Sequence, residues 1–138
     1  MKYFIDTEFD GYKGDLISMA LIREDGEARY WVIQNVDIKN EWVLEHVEPH
    51  LFKGPYELVA SQADLSREIA RFMKHDEDIT ILADWPDDIK YFCDTIVFGP
   101  GKCRNLKKIK FEFDRNMGDY VSLVPHNAYY DAKAISEK

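Results

Sequence analysis

Polar and apolar positions alternate differently along the first and second halves of the chain. Lys2 to Asp6, Leu16 to Arg23 and Ala28 to Gln34 are runs rich in β-branched and aromatic residues, and Glu24-Asp25-Gly26-Glu27 between the last two is a hairpin turn signal. They predict a three-stranded antiparallel unit at the N-terminus. From Asn40 to Val47 the pattern fits a short helix closed by Glu48-Pro49. A second helix starts near Ser61 and carries Leu65, Ile69, Phe72 and Met73 on one face. Asp78 to Ala83 reads as a short buried strand. Pro86 suits the first turn of the next helix, whose stripe is Ile89, Phe92, Cys93 and Ile96, with Gly99-Pro100-Gly101 as its stop. Lys108 to Asp114 alternates as a half-exposed strand, and a final helix over Tyr129 to Glu137 places Ala128, Ala132 and Ile135 on one stripe. Strands first, then alternating helices and strands, predict an α/β fold with a mixed sheet flanked by helices.

Composition narrows the class. A chain of 138 residues with 46% hydrophobic and 32% charged residues is expected to fold as one domain over 1–138. The segment Met1-Lys2-Tyr3-Phe4-Ile5-Asp6 meets an acid after three apolar residues, and no later run is long enough to span a bilayer, so the expectation is a soluble, cytoplasmic protein with no membrane partner. Cys93 and Cys103 are unclustered and suggest neither a disulfide framework nor a zinc site. The net charge of −8 argues against broad binding to duplex nucleic acid through many Lys and Arg contacts. It is compatible with a nuclease, because clustered carboxylates bind divalent cations that then meet the phosphate.

Three acidic segments carry candidate chemistry. Asp6-Thr7-Glu8 follows the first apolar strand, and alternation puts Asp6 and Glu8 on one side with Thr7 on the other. Alone, that pattern is weak and is more readily met by a solvated turn running into Asp10-Gly11. Near the C-terminus Asp131 falls on the inward stripe of Ala128, Ala132 and Ile135, where a buried carboxylate needs a partner or a metal. His126 precedes that helix on a loop; taken singly, it is more often a surface or hydrogen-bonded histidine than a base. In Ala83-Asp84-Trp85-Pro86-Asp87-Asp88, acids at a helix N-terminus are explained in part by the helix dipole. Asp88 lies at the edge of the inward face and Asp87 nearly opposite, so Asp88 is the candidate, with Asp84 at the strand end as the alternative.

In chain order these segments resemble the three motifs of the DEDDh 3′→5′ exonucleases, the group that includes oligoribonuclease, ribonuclease T and polymerase proofreading subunits. Asp6-Thr7-Glu8 matches the first motif, Asp88-Ile89-Lys90-Tyr91-Phe92 the second, and His126 with Asp131 the H-x4-D third. Tyr3, Phe4, Asp6, Thr7, Glu8 and Phe9, followed by Leu16-Ile17-Ser18, are most similar to the compact prokaryotic and phage 3′→5′ exoribonucleases. Phe9-Asp10-Gly11 stands where many proofreading exonucleases have Thr-Thr-Gly, and Asp84-Trp85-Pro86 replaces the common His-Asn before the second motif. The resemblance implies a ribonuclease H-like fold and two Mg²⁺ or Mn²⁺ ions held by Asp6, Glu8, Asp88 and Asp131, with Asp6 bridging. It implies His126 as general base and a single-stranded nucleic acid, RNA favoured, cut to 5′-mononucleotides. Thr7, Phe9, Leu16 and Ile17 are candidate substrate contacts, although Ile17 reads more readily as core and Phe9 fits either role. Relatives of this kind are commonly homodimers, so a homodimer is a further expectation. Single-stranded DNA exonuclease and noncatalytic nucleic-acid-binding module stand as the alternatives; an acid-rich phosphatase would need a nucleophilic Asp with a Lys motif that is absent.

Overall fold

A computed structural model describes all residues 1–138. Three N-terminal strands, β1 (Lys2–Phe9), β2 (Leu16–Arg23) and β3 (Ala28–Ile33), pair antiparallel in sequence order. The turn after β2 closes through Arg23 and Glu27, with the Arg23 N–H donating to the Glu27 carbonyl at 2.8 Å, and Gly26 takes φ +96°, a value that favours glycine. Helix α1 (Glu41–His46) is capped by the Asn40 side chain, which accepts from the Val43 N–H. At Glu48–His50 the chain tightens into a 3₁₀ turn, so Glu48-Pro49 ends the α-helix without ending helical winding.

The segment Tyr56–Val59 forms β4, a parallel edge strand on β3 that the hydrophobic pattern did not predict. Helix α2 (Gln62–Met73) begins after Ser61, whose hydroxyl accepts from the Asp64 N–H. Strand β5 (Ile79–Ala83) then lies parallel to β1, and α3 (Pro86–Ile96) follows it. A small hairpin, β6 (Val97–Gly99) and β7 (Lys102–Cys103), stands apart from the main sheet and was also not predicted. Strand β8 (Ile109–Phe113) adds to β5 in parallel, and α4 (Ala128–Ser136) ends the chain. The six-stranded order is β4-β3-β2-β1-β5-β8, a mixed α/β sheet flanked by helices.

Each face of the sheet has its own core. On one, Tyr3, Ile5, Met19, Leu21, Ile79 and Ile81 pack against Leu65, Ile69 and Met73 of α2 and Tyr91, Phe92 and Ile96 of α3. On the other, Ile17, Ala20, Ile22, Tyr30 and Val32 meet Val43 and Val47 around α1 and Ala128 and Ala132 of α4. Fully burying one such Leu, Ile or Met side chain stabilises the fold by about 1.5–3 kcal/mol. β2 is therefore covered on both sides, which explains why its sequence is apolar almost throughout. No helix is long and apolar enough to cross a membrane.

Candidate metal centre

The C-terminal half of β1 positions the first acids. β1 runs three residues beyond the expected end at Asp6, because Thr7 and Glu8 continue to pair with Met19 and Ser18 of β2. The register then shifts between Glu8 and Phe9, a bulge of the kind that re-aims side chains at a sheet rim. Tyr3, Ile5 and Thr7 face α3, while Asp6 and Glu8 face the α4 side.

Asp131 projects from the first turn of α4 toward Asp6 and Glu8, and the three carboxylates have oxygens within 4.8 Å of one another. A second group, Asp6, Asp84 and Asp88, meets the same criterion, so Asp6 belongs to both. Asp84 ends β5. Asp88 sits in the first turn of α3, only 3% exposed. Its Oδ1 accepts from the Thr7 N–H at 3.1 Å and the Thr7 hydroxyl at 2.6 Å. This anchoring corrects the expected helix face: Asp88, Tyr91, Phe92, Thr95 and Ile96 are buried, while Ile89 and Cys93 are only half-buried. The inward face of α3 is rotated toward Asp88, placing it within that face and not at its edge.

These acids lack compensating cations. No ion pair of the structure reaches Asp6, Glu8, Asp84, Asp88 or Asp131. Burial, then repulsion from Asp88, Glu8 and Asp131, drives the Asp6 carboxyl well above its ordinary range. Glu8 rises for the same reasons, burial first and then Asp131 and Asp88. Burial lifts Asp88 too, against the opposing Thr7 hydrogen bonds. Asp131 is pushed by burial to about 6, with Ser122 and His126 pulling the other way. Asp6 Oδ2 and Asp131 Oδ1 are buried with no hydrogen-bond partner of normal geometry, and Ser122 Oγ beside Asp131 is likewise unpartnered. Unpaired buried carboxylate oxygens are costly. An oxygen-only donor set of this kind fits a hard divalent cation such as Mg²⁺ or Mn²⁺.

The other predicted residues divide. His126 is exposed on the loop before α4, with a left-handed φ of +67°. Thr7 is buried, and its hydroxyl is used by Asp88 rather than offered to a ligand. Phe9 stacks on Tyr91 at 4.7 Å and lines a groove of about 430 Å³ together with Glu8, Tyr12, Trp42, Trp85 and Asp87. Leu16 and Ile17 do not reach that groove. They pack into opposite cores, Ile17 fully buried, because both faces of β2 are covered.

Sequence reasoning missed several neighbours. Asn127 is fully buried and caps α4 by accepting from the Tyr130 N–H. Its amide also donates to the carbonyls of His50 at 2.8 Å and Lys53 at 3.1 Å, which holds His126 beside the α1 region. Tyr120 lies within the field of Asp6, Asp131, Asp84 and Glu8, and burial plus those charges keep its phenol protonated. A Cβ on Gly118 would stand 3.4 Å from Asp84 Oδ2, so the segment leading to Tyr120 passes against the acids. Only the position of Asn127, directly after His126 and before the helical stripe, was a cap signal readable from sequence.

Fold and geometry together define an acid-lined centre, suited to divalent cations, at the sheet rim. No family model matches the chain. Over 80 residues it is 35% identical to a protein named 3′-5′ exoribonuclease in each of two strains of Mycobacterium tuberculosis, a match covering 55% of this chain and 48% of each relative. The chain thus spans about half the length of the curated relatives it matches.

Proposed function

We propose that this chain is a metal-dependent 3′→5′ exoribonuclease of the DEDDh type on a ribonuclease H-like fold, acting on single-stranded RNA. The observation that carries the reading is the double membership of Asp6, which stands in both acidic groups at the rim of the sheet. Two such groups sharing one carboxylate would suit a pair of divalent cations. The similarity to named exoribonucleases favours RNA over DNA.

Asp6, Glu8 and Asp131 would hold one Mg²⁺ or Mn²⁺ ion, and Asp6 with Asp88 and Asp84 the other. Bound there, the ions would neutralise charge on the reacting phosphate and make its attacking water more acidic. His126 accepts the proton of that water; its exposed loop leaves the imidazole free to receive it and release it to solvent. Thr7 keeps the Asp88 carboxylate in place. Phe9 and the groove beside Glu8 receive the 3′-terminal nucleotide, where aromatic surface favours stacking regardless of base identity.

Polarity tests this reading. A 5′-labelled single-stranded RNA should shorten one nucleotide at a time with release of 5′-mononucleotides, and a blocked 3′ end should stop it. Unslowed cutting of a blocked strand, or internal cuts in a circular one, would mark an endonuclease instead.

A further inference from the structure

His126 needs a fixed orientation to accept a proton, yet its exposed ring makes no hydrogen bond, and its backbone sits in a strained region. What does touch the ring is α1. The Trp42 indole meets it edge to face, centroids 5.0 Å apart at 83°. Trp42 is itself stacked on His46, one helical turn later, at 4.5 Å and 17°. The His46 and His126 rings are 6.4 Å apart. His46 Nδ1 lies 2.9 Å from the Trp42 carbonyl oxygen, which can only accept, so Nδ1 carries the proton and the His46 ring is pinned to the helix.

Both segments that carry these rings are tied down. The Asp10 carboxylate accepts from the N–H groups of Lys39 and Asn40, each at 2.9 Å, and Asn40 caps α1. Val43 and Val47 bury the inner side of α1. On the other side Asn127 fastens the residue after His126 to the turn that follows α1. Offset or T-shaped aromatic contacts of this spacing are attractive beyond simple burial. Trp42 lines the groove next to Glu8, whereas His46 stands behind it and is not part of the groove.

We propose that His46 and Trp42 form a stacked clamp that positions the His126 imidazole, making His46 a positioning residue for a reaction it does not touch. The proposal rests on the assignment of His126 as the base. It separates His46 from any role in holding RNA, because His46 reaches the site only through the Trp42 ring and does not itself line the groove.

The experiment measures kcat and KM of the full chain on single-stranded RNA for wild type, His46→Ala, His46→Phe, His126→Ala and the double variant His46→Ala/His126→Ala, with thermal melting to check folding. The expected result is a kcat about 3–10-fold lower in His46→Ala at unchanged KM. In His46→Phe, which keeps a ring in the stack, kcat should return to within about twofold of wild type. In the His126→Ala background His46→Ala should cost nothing further, since the clamp has nothing left to position. Should His46→Ala fail to fold, His46→Leu, which fills the space without a π face, takes its place. Wild-type kcat in His46→Ala, a raised KM as the main effect, a His46→Phe enzyme as slow as His46→Ala, or an undiminished effect in the His126→Ala background would each overturn the clamp. A full rate in His126→Ala would instead remove the base assignment itself, whereas a slow His126→Ala beside an unaffected His46→Ala removes the clamp alone.

Discussion

On the outer surfaces of α2 and α3 acids have cations within reach: Arg67 with Asp64, Arg71 with Glu68 at 3.3 Å, and Lys90 with Asp94 at 3.0 Å. In the cleft, Asp6, Glu8, Asp84, Asp88 and Asp131 crowd together with none. Surface pairs of the first kind contribute roughly 0–1 kcal/mol each and are screened by salt. Buried carboxylates of the second kind raise one another's proton affinity and weaken the metal-free fold, an arrangement that makes physical sense when a divalent cation completes it. The contrast separates charge that keeps a surface hydrated from charge held ready for a ligand.

The contrast breaks first at the shared acid. Asp6→Asn should abolish hydrolysis, a loss well beyond the roughly 10–100-fold typical of changes to residues behind a metal ligand. The same substitution should raise the melting temperature of the metal-free protein by relieving repulsion; a hydrolysis time course and a thermal melt read both. Around α3, Asp88→Ala should lose several orders of magnitude in rate and Asp84→Ala an intermediate amount. A dead Asp84→Ala beside an active, folded Asp88→Ala would move the second-motif role to Asp84. Thr7→Val keeps the shape but removes the hydroxyl that holds Asp88, and kcat should fall by about 10–100-fold, with a weakened response to added Mn²⁺ as the accompanying readout.

Melting against pH gives a gentler test. Because burial and repulsion raise these carboxyls, the folded protein holds more protons than the unfolded chain from about pH 4, the ordinary carboxylate value, up through the raised values, about 6 for Asp131 and about 8 for Asp88, with Asp6 and Glu8 also raised well above their ordinary range. The cleft's contribution to metal-free stability is therefore full below that window and is lost as pH rises through it. Mg²⁺ or Mn²⁺ binds the ionised folded form, so its stabilising shift should grow over the same interval. A shift independent of pH would contradict the linkage. Smallest of all, Asp64→Asn on α2 should change stability by no more than about 1 kcal/mol and leave kcat untouched.

Much of this architecture was legible because local signals agreed with the tertiary outcome. The Gly26 turn, the Ser61 cap and the Leu65, Ile69, Met73 stripe each dictate an element from neighbouring residues alone. β4 was not legible: it is four residues long, exposed over Tyr56, Glu57 and Leu58, and exists through pairing with β3. The facing of α3 is likewise a long-range effect, set by a hydrogen bond from Thr7 to Asp88 across 81 residues. For the candidate site, strand alternation was enough to separate Asp6 and Glu8 from Thr7. The unbroken apolar run of β2 signalled a strand covered on both faces, and Leu16 and Ile17 are buried in opposite cores. The approach of α1 to His126 depends on Asn127 bonding to carbonyls 77 and 74 residues away, which no local pattern encodes.

The central claim is that the cleft acids work only with divalent cations. Its most direct test is hydrolysis of a 5′-labelled single-stranded RNA by the full chain after exhaustive chelation, followed by readdition of Mg²⁺ or Mn²⁺. The account predicts no cleavage after chelation and stepwise shortening from the 3′ end once either ion is restored. Undiminished cleavage in the chelated protein would contradict it.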